Sequence, residues 1–297
     1  MSWSNAIQFL VLALSLGGMY ALIAIGYTIV YGVLKLINIA HGEFFMLAGF
    51  TGMWLVVQYG VPLQIALPLG LVLTVGFAIL IERVAYKPLR NNKMSAFTST
   101  VAVSMIIQST VIILFTARSK GFPRPKFLDN PINLGDVVVP MVTPFIIATS
   151  VFLFLVLILI VNKTKIGRAM RALSKDMEMV QLMGVDINWV ITFSFILSVG
   201  YAAAAAFLWG FRYPSFDAFS GAVVGLKGFI GAVIGGIGSI PGALLGGLIL
   251  GMAEILLIAI FPKLTSFRDI FAYSLMILFL LFRPGGLFNV KVIEEKV

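Results

Sequence analysis

His41 and Glu43 are the residues whose type and spacing could do chemistry, in the stretch KLINIAHGEFFMLAGF from Lys35 to Phe50. His41 is the only histidine of the chain, and apolar runs flank the pair. A carboxylate within a hydrocarbon layer costs roughly 2.5–3.5 kcal/mol, so Glu43 must face protein or water. We expect Glu43 to accept backbone N–H bonds at the start of the following helix, with direct contact to a substrate as the alternative.

Three other ionisable residues lie in apolar surroundings. His41 can pair with Glu43, bond a backbone carbonyl or titrate, and a structural histidine is the favoured interpretation. Glu254 lies in an apolar helix, where a buried hydrogen bond or a contact with a partner subunit is expected. Lys227 is expected at the same interface, with a position in a pore as the alternative.

The composition is that of a polytopic membrane protein. The 297 residues are 60% hydrophobic and only 11% charged, with a mean hydropathy of +1.07, which exceeds what a soluble core absorbs. The net charge of +9 comes from basic residues near helix ends, which favours contacts with lipid and partner subunits over nucleic acid. The absence of cysteine excludes disulfides and thiolate metal sites.

Seven apolar runs reach the about 20 residues that span a bilayer. They are Ala6–Tyr31, Gln64–Ile81, Ala96–Ala117, Thr143–Val161, Trp189–Trp209, Ile240–Phe261 and Ile270–Phe282. Two further segments, 37–57 and 221–237, are glycine-rich or interrupted and are expected to be bent or re-entrant. The sequence therefore predicts an all-α fold of about eight or nine membrane helices, forming a single transmembrane domain over 1–297.

Basic residues predict the orientation of the chain. Two loops that two helices separate carry nine basic residues, against four in the loop between them. The nine are Arg83, Lys87, Arg90, Lys93, Lys163, Lys165, Arg168, Arg171 and Lys175, and the four are Arg118, Lys120, Arg124 and Lys126. The positive-inside rule places the two richer loops, and by counting onward the C-terminal tail with Arg283, Lys291 and Lys296, in the cytoplasm.

The two long loops differ in character. The loop 118–140 mixes prolines with a short valine run, which predicts an ordered external loop with a small hairpin. The loop 163–188 has apolar residues three and four apart, which predicts one amphipathic helix that ends at Gly184. Its apolar stripe comprises Ile166, Met170, Leu173, Met177, Val180 and Met183. Such a helix lies on the membrane surface or against a docked protein.

Glycines cluster in the second half of the chain. Ten of the 29 lie between Gly225 and Gly251, at spacings that let helices approach closely. Three glycines between Gly235 and Gly238, followed by Pro241, favour a helix break, and broken helices line transporter pathways. The stretch 32–52 is the proposed counterpart, which suggests an inverted repeat. The residues expected at the breaks beside a pathway are Asn38, His41, Gly42, Glu43, Gly231, Gly235, Gly236 and Gly238.

Three stretches resemble the permeases of branched-chain amino acid ABC importers, of the LivH type. They are KGFIGAVIGGIGSIPGALLGGLILGMAE (Lys227–Glu254), LINIAHGEFFMLAGF (Leu36–Phe50) and IGRAMRALSKDMEMVQLMGVDI (Ile166–Ile187). The resemblance covers nearly the whole chain, and the glycine-rich motif is highly specific.

The resemblance implies a transport subunit of the bacterial cytoplasmic membrane and no enzyme. It implies a homologous second permease, two cytoplasmic ATPases that carry ATP and Mg, and an extracytoplasmic protein that delivers Leu, Ile or Val. No cofactor is expected on this chain. The implied ATPase-coupling residues are Gly167, Arg168, Arg171, Ala172, Asp176 and Gly184, with lipid headgroups as the alternative contact for the arginines.

Other functions stay open at this point. The chain has no G-x-x-x-x-G-K-[ST] motif, so it lacks the nucleotide-binding loop itself. A permease of the same family for urea or short amides, and an ion-coupled carrier that uses Glu43 or Glu254, are the alternatives. An intramembrane enzyme is disfavoured by one histidine, no cysteine, and no H-E-x-x-H or G-x-S-x-G motif.

Overall fold

The computed structural model describes residues 3–90, 92–134 and 137–288, which form eleven α-helices and one short hairpin. The helices are α1 (Trp3–Leu34), α2 (His41–Tyr59), α3 (Leu63–Ile81), α4 (Lys93–Phe115), α5 (Val142–Lys163), α6 (Lys165–Leu173), α7 (Met177–Leu182), α8 (Ile187–Arg212), α9 (Ser220–Gly235), α10 (Ile240–Ile260) and α11 (Arg268–Phe282). The strands β1 (Pro131–Leu134) and β2 (Val137–Pro140) pair antiparallel in the predicted external loop. A π-helical turn (Glu82–Tyr86) and a 3₁₀ turn (Lys87–Leu89) extend α3, and a 3₁₀ turn (Pro262–Phe267) precedes α11.

The helices confirm the all-α, polytopic fold class. Seven helical segments of the described residues are long and apolar enough to cross a membrane: α1, α3, α4, α5, α8, α10, and α11 with the 3₁₀ turn that precedes it. Each coincides with one of the seven apolar runs. The segments 37–57 and 221–237, which were expected to be bent or re-entrant, contain α2, of 19 residues, and α9, of 16 residues. Both are continuous helices, and the predicted interruptions lie before α2 and after α9.

Two helices form the core of the bundle. In the most apolar 18-residue stretch of α1, 72% of the residues are buried inside the bundle, and the same share is buried in α8. In the span that ends with α11, only 6% of the corresponding stretch is buried. Small residues let α10 lie directly on α1, since a Cβ atom on Gly251 would overlap the backbone of Gly17. The outer helices therefore present their apolar side chains to lipid or to another subunit.

The contacts between helices support an inverted repeat. α1 packs against α8, α9 and α10, and α8 packs against α1, α2 and α3. Gly26 lies beside Ser198 and Tyr20 beside Trp209, so α1 and α8 run antiparallel. A repeat that exchanges α1 with α8 also exchanges α2 with α9 and α3 with α10. It therefore relates α1–α3 to α8–α10. The proposed counterparts were wrong: the break before α2 corresponds to the segment 213–219 before α9, and the glycine break corresponds to the turn at Gly60.

The loops lie at the two ends of the bundle as the charge pattern predicts. Arg90 Nη1 donates to Asn188 Oδ1 at 3.0 Å, which brings the two richly basic loops to one end. At the other end Gln8 Nε2 donates to the carbonyl of Val138 in the hairpin at 3.0 Å, and Lys120 pairs with Phe216 through the backbone. Lys291 and Lys296 lie outside the described residues.

Candidate functional site

His41 lies at the start of α2, at the centre of the bundle and without solvent exposure. Its Nδ1 is 3.2 Å from Ser198 Oγ, and its ring meets the edge of Tyr27 with centroids 4.5 Å apart. Ser198 Oγ also donates to the carbonyl of Gly26 at 2.8 Å. His41 therefore joins α2 to α8 and α1, and its side-chain partner is Ser198 in place of Glu43.

Glu43 does not cap α2, and that prediction was wrong. The first N–H groups of α2 are satisfied by the preceding link: His41 N donates to Asn38 O, while Glu43 N and Phe44 N donate to Ala40 O. The carboxylate of Glu43 does not bond these N–H groups. It lies towards α4, where Oε1 accepts a hydrogen bond from Ser104 Oγ at 3.3 Å. Within the described residues, Oε2 has no hydrogen-bond partner, although only 2% of Glu43 is exposed.

The link between α1 and α2 is held from two sides. Tyr86 Oη donates to Asn38 Oδ1 at 3.2 Å, and Ile39 N donates to Thr100 Oγ1 at 3.4 Å. Lys35 opens the link with a positive φ of 53°, and partial burial lowers the pKa of its ammonium group below the usual value. Asn38 thus fixes the break at which α2 begins.

The helices α2 and α9 begin beside each other inside the bundle. A Cβ atom on Gly225 would lie 2.5 Å from Gly42 Cα, and one on Gly221 would lie 2.5 Å from Glu43 Oε2. Only glycine permits this approach, because the neighbouring atoms belong mainly to backbone. The N-termini of the two helices, each the positive end of a helix dipole, consequently meet near Glu43.

A cavity of about 440 Å³ opens at this junction. Its polar lining comes from Tyr27, Glu43 and Ser104, and its remaining walls are glycine, alanine and larger apolar residues. The apolar lining residues with large side chains are Ile37, Ile39, Phe97, Leu226 and Phe229. The arrangement can hold a small molecule that carries one positive group and an aliphatic part.

A second buried cluster joins α9, α10 and α11. Lys227 Nζ lies 2.9 Å from Glu254 Oε1 and 2.8 Å from Asp269 Oδ1, and Tyr20 Oη donates to Glu254 Oε2 at 3.1 Å. Lys227 and Glu254 are each 1% exposed. They pair with each other inside this chain. In the described part of the chain, no three His, Cys, Asp or Glu side chains gather as a metal site would require.

The comparisons with known proteins identify the family. The sequence profile of the branched-chain amino acid transport system permease component matches residues 9–280. This chain belongs to that family. The permease is 36% identical to the high-affinity branched-chain amino acid transport system permease protein BraD of Pseudomonas aeruginosa, with 97% of each chain covered. It is 35% identical to LivH of Escherichia coli, over 95% of this chain and 94% of that one.

Two more distant likenesses are informative. The permease is 26% identical to the ribose import permease protein RbsC of Haemophilus influenzae, over 87% of this chain and 79% of that one. A solved structure, PsaBC from Streptococcus pneumoniae in complex with Fab, superposes with a TM-score of 0.53 at 15% identity, over 94% and 92% of the two chains. That structure shares the fold of the permease.

The glycine break of the permease is a packed joint. α9 ends at Gly235 and α10 begins at Ile240, with Gly236 and Gly238 at positive φ of 103° and 102°. The C-terminal segment covers the break, because Leu287 N donates to Ile234 O at 2.9 Å and Phe288 N to Gly235 O at 3.3 Å. The carbonyl groups of Ile234 and Gly235 at the break are thus bonded within the chain. Gly231 lies against Gly247 of α10, and a pathway role for the glycines stays a prediction.

The loop 163–188 contains two short helices where one was predicted. Asp176 interrupts the predicted helix because its carboxylate accepts from Met179 N at 2.9 Å and so starts α7. Gly184 ends α7 with φ of 77°, as predicted. Of the predicted apolar stripe, Met170, Leu173 and Val180 are buried within the chain, whereas Met177 and Met183 are 40% and 79% exposed.

Four of the six proposed coupling residues have contacts inside the permease. Asp176 and Gly184 lie at the two ends of α7. Arg171 donates to the carbonyl of Val161 at the end of α5, and Gly167 lies against the backbone of Ile160 and Val161. Arg168 and Ala172 are exposed. The coupling role of the six residues stays a prediction.

An apolar patch of three side chains, Met179, Leu182 and Met183, lies exposed on the same loop. Their exposed fractions are 59%, 83% and 79%. The patch belongs to a short helix and turn between charged segments, so it is separate from the spans that face lipid. We call it the α7 patch.

Three partners of the site residues were not predicted from the sequence: Ser104 for Glu43, Ser198 for His41 and Asp269 for Lys227. Ser104 follows Thr100 by four residues on α4, so a polar pair on one helix face was visible in the sequence. Asp269 was an isolated acid at the start of the last span. Ser198 gave no such signal, because small polar residues are common in membrane helices.

Proposed function

We propose that the permease is the membrane subunit of an ATP-binding-cassette importer for branched-chain amino acids in a bacterial cytoplasmic membrane. The observation that carries this proposal is the identity of 36% and 35% to BraD and LivH over nearly the full length of each chain. The chain itself moves the substrate and catalyses no reaction. ATP and Mg bind to two cytoplasmic ATPases, and an extracytoplasmic binding protein delivers leucine, isoleucine or valine to the permease and a homologous second permease.

The chemistry of the cavity favours an aliphatic amino acid over a sugar. Ribose would need partners for several hydroxyl groups, since a buried polar group without a hydrogen bond is costly. The lining offers only Tyr27, Glu43 and Ser104 as polar side chains. The ribose import permease protein RbsC therefore resembles this permease in sequence without sharing its substrate class.

Transport by proteoliposomes tests the proposal. The permease, purified with the subunits that accompany it in mild detergent, is expected to take up labelled leucine, isoleucine or valine. Uptake should require ATP and Mg on the ATPase side and the binding protein on the other side. Uptake by the permease alone, driven by a proton or sodium gradient, would instead identify an ion-coupled carrier. Transport of urea or short amides in place of all three amino acids would contradict the substrate.

The α7 patch supports an ATPase on the face that we assign to the cytoplasm. Apolar side chains as exposed as Leu182 and Met183 are typical of a contact with another protein. Leu182→Asp is therefore expected to reduce the ATPase retained by the tagged permease about tenfold or more. Val138→Asp is the matched control, because Val138 is 47% exposed in the hairpin at the opposite end. Equal retention in both variants would remove the patch from the interface.

A further inference from the structure

We propose that the cavity beside Glu43 is a binding site for the transported amino acid, and that the Glu43 carboxylate binds the substrate ammonium group. This inference rests on the proposed function, because it names where in the permease the substrate is held. Neither the family match nor the names of the relatives assign such a site. Three features of the structure support it: an incompletely bonded carboxylate, an apolar wall and a helix N-terminus.

The first feature is the free oxygen of Glu43. Ser104 donates to Oε1, while Oε2 has no hydrogen-bond partner among the described residues and lies beside Gly221, which lines the cavity. Other buried carboxylates of the bundle have cationic partners, since Glu82 pairs with Arg90 and Glu254 with Lys227. Because a buried carboxylate requires a donor or a counter-ion, an ammonium group from a ligand completes the bonding of Glu43.

The second feature is the apolar wall that faces Glu43. Ile37, Ile39 and Phe97 close one part of the cavity, and Leu226 and Phe229 of α9 close another. Branched aliphatic side chains gain by leaving water for such a surface. The volume of about 440 Å³ lies within the roughly 300–1,000 Å³ range of small-molecule sites. The wall therefore holds the part of the substrate that distinguishes leucine, isoleucine and valine from polar amino acids.

The third feature is the start of α9, which receives the substrate carboxylate. Gly221 and Ala222, in the first turn of this helix, line the cavity. The residue before the helix, Phe219, offers no capping side chain. Ser220 N and Val223 N donate to the carbonyls of Asp217 and Phe219, and the positive end of the helix dipole at Gly221 and Ala222 suits an anion. The two charged groups of the zwitterion thus meet groups of opposite sign.

Cysteine labelling tests the site in the assembled transporter. The permease has no cysteine, so Ala222→Cys places a single thiol in the cavity wall, and N-ethylmaleimide labelling of this chain reports on its accessibility. We expect L-leucine to slow labelling several-fold. 3-Methylbutylamine, which keeps the side chain and the amine, should protect more weakly. 4-Methylpentanoate, which lacks the amine, should not protect. Gly121→Cys, an exposed position with open space around it, is the control and should be labelled at one rate throughout.

Glu43 variants in the Ala222→Cys background test the carboxylate. Glu43→Gln should raise the leucine concentration for half-maximal protection about tenfold or more. Glu43→Asp keeps the charge and should lie between Glu43→Gln and the parent. Unchanged protection in Glu43→Gln would overturn the role of the carboxylate. Protection by 4-methylpentanoate equal to that by leucine would do the same without any Glu43 variant.

The labelling assay tests the binding site, and the transport assay tests the proposed function, so the two claims can be contradicted separately. A transporter that imports leucine while leucine leaves Ala222→Cys labelling unchanged would overturn the site and leave the proposed function standing. A transporter that imports none of the three amino acids would overturn the proposed function itself.

Discussion

Replacing Lys227 with methionine is expected to lower the free energy of unfolding by about 3–5 kcal/mol. Lys227 is the cation between Glu254 and Asp269, at 2.9 and 2.8 Å, and its side chain is 2% exposed. Methionine has a similar length and fills the space, but it leaves Glu254 buried without its counter-ion. The cost of the variant is therefore that of a buried unpaired charge.

Two further variants are expected to lose less stability than Lys227→Met. Glu254→Gln should cost less than Lys227→Met, because the ammonium group keeps Asp269 as a partner. Arg268→Gln is the control: Arg268 is 43% exposed at 3.7 Å from Asp269, so its removal should cost at most about 1 kcal/mol. Thermal unfolding of the purified variants in detergent, followed by the folded fraction on size exclusion, measures the order. Unfolding of Lys227→Met at the temperature of Arg268→Gln would contradict a counter-ion role.

The membrane spans were predictable because burial in lipid acts on each helix separately. An uninterrupted apolar run such as Ala6–Tyr31 must become a helix wherever its neighbours lie, since every backbone group must bond within the segment. The break at Gly236 was predictable for a similar reason: three glycines in four residues and a following proline act locally. What closes that break was not, because Leu287 bonds to Ile234 from more than fifty residues away.

The side-chain partners of the site were not predictable from local patterns. Glu43 had the sequence position of a capping residue, but the carbonyl of Ala40 already accepts from the first N–H groups. The carboxylate was therefore left to bond Ser104, on a helix that the sequence does not place. The single helix predicted for 166–184 failed differently. Asp176 is a residue type that favours a helix start and so indicates two helices, whereas the apolar periodicity wrongly predicted one continuous helix.

Gly42→Ala is expected to destabilise the permease by about 3 kcal/mol or more and to abolish leucine uptake. A Cβ atom at this position would overlap the carbonyl oxygen of Gly221 and lie 2.9 Å from Gly225 Cα. Both are backbone atoms, so no side-chain rotation can make room, and α9 must move away from α2. That movement would also separate Glu43 from the start of α9, which forms the other side of the cavity.

Gly76→Ala is the matched control for the same change in another helix. A Cβ atom at Gly76 has no atom within 4 Å, so the substitution should be neutral or stabilise α3 by up to about 1 kcal/mol. Folded yield in the membrane and ATP-driven leucine uptake distinguish the two variants. If Gly42→Ala folds and transports as well as Gly76→Ala, the closeness of α2 and α9 has no functional weight. If it folds but does not transport, the junction of the two helix starts is required for transport itself.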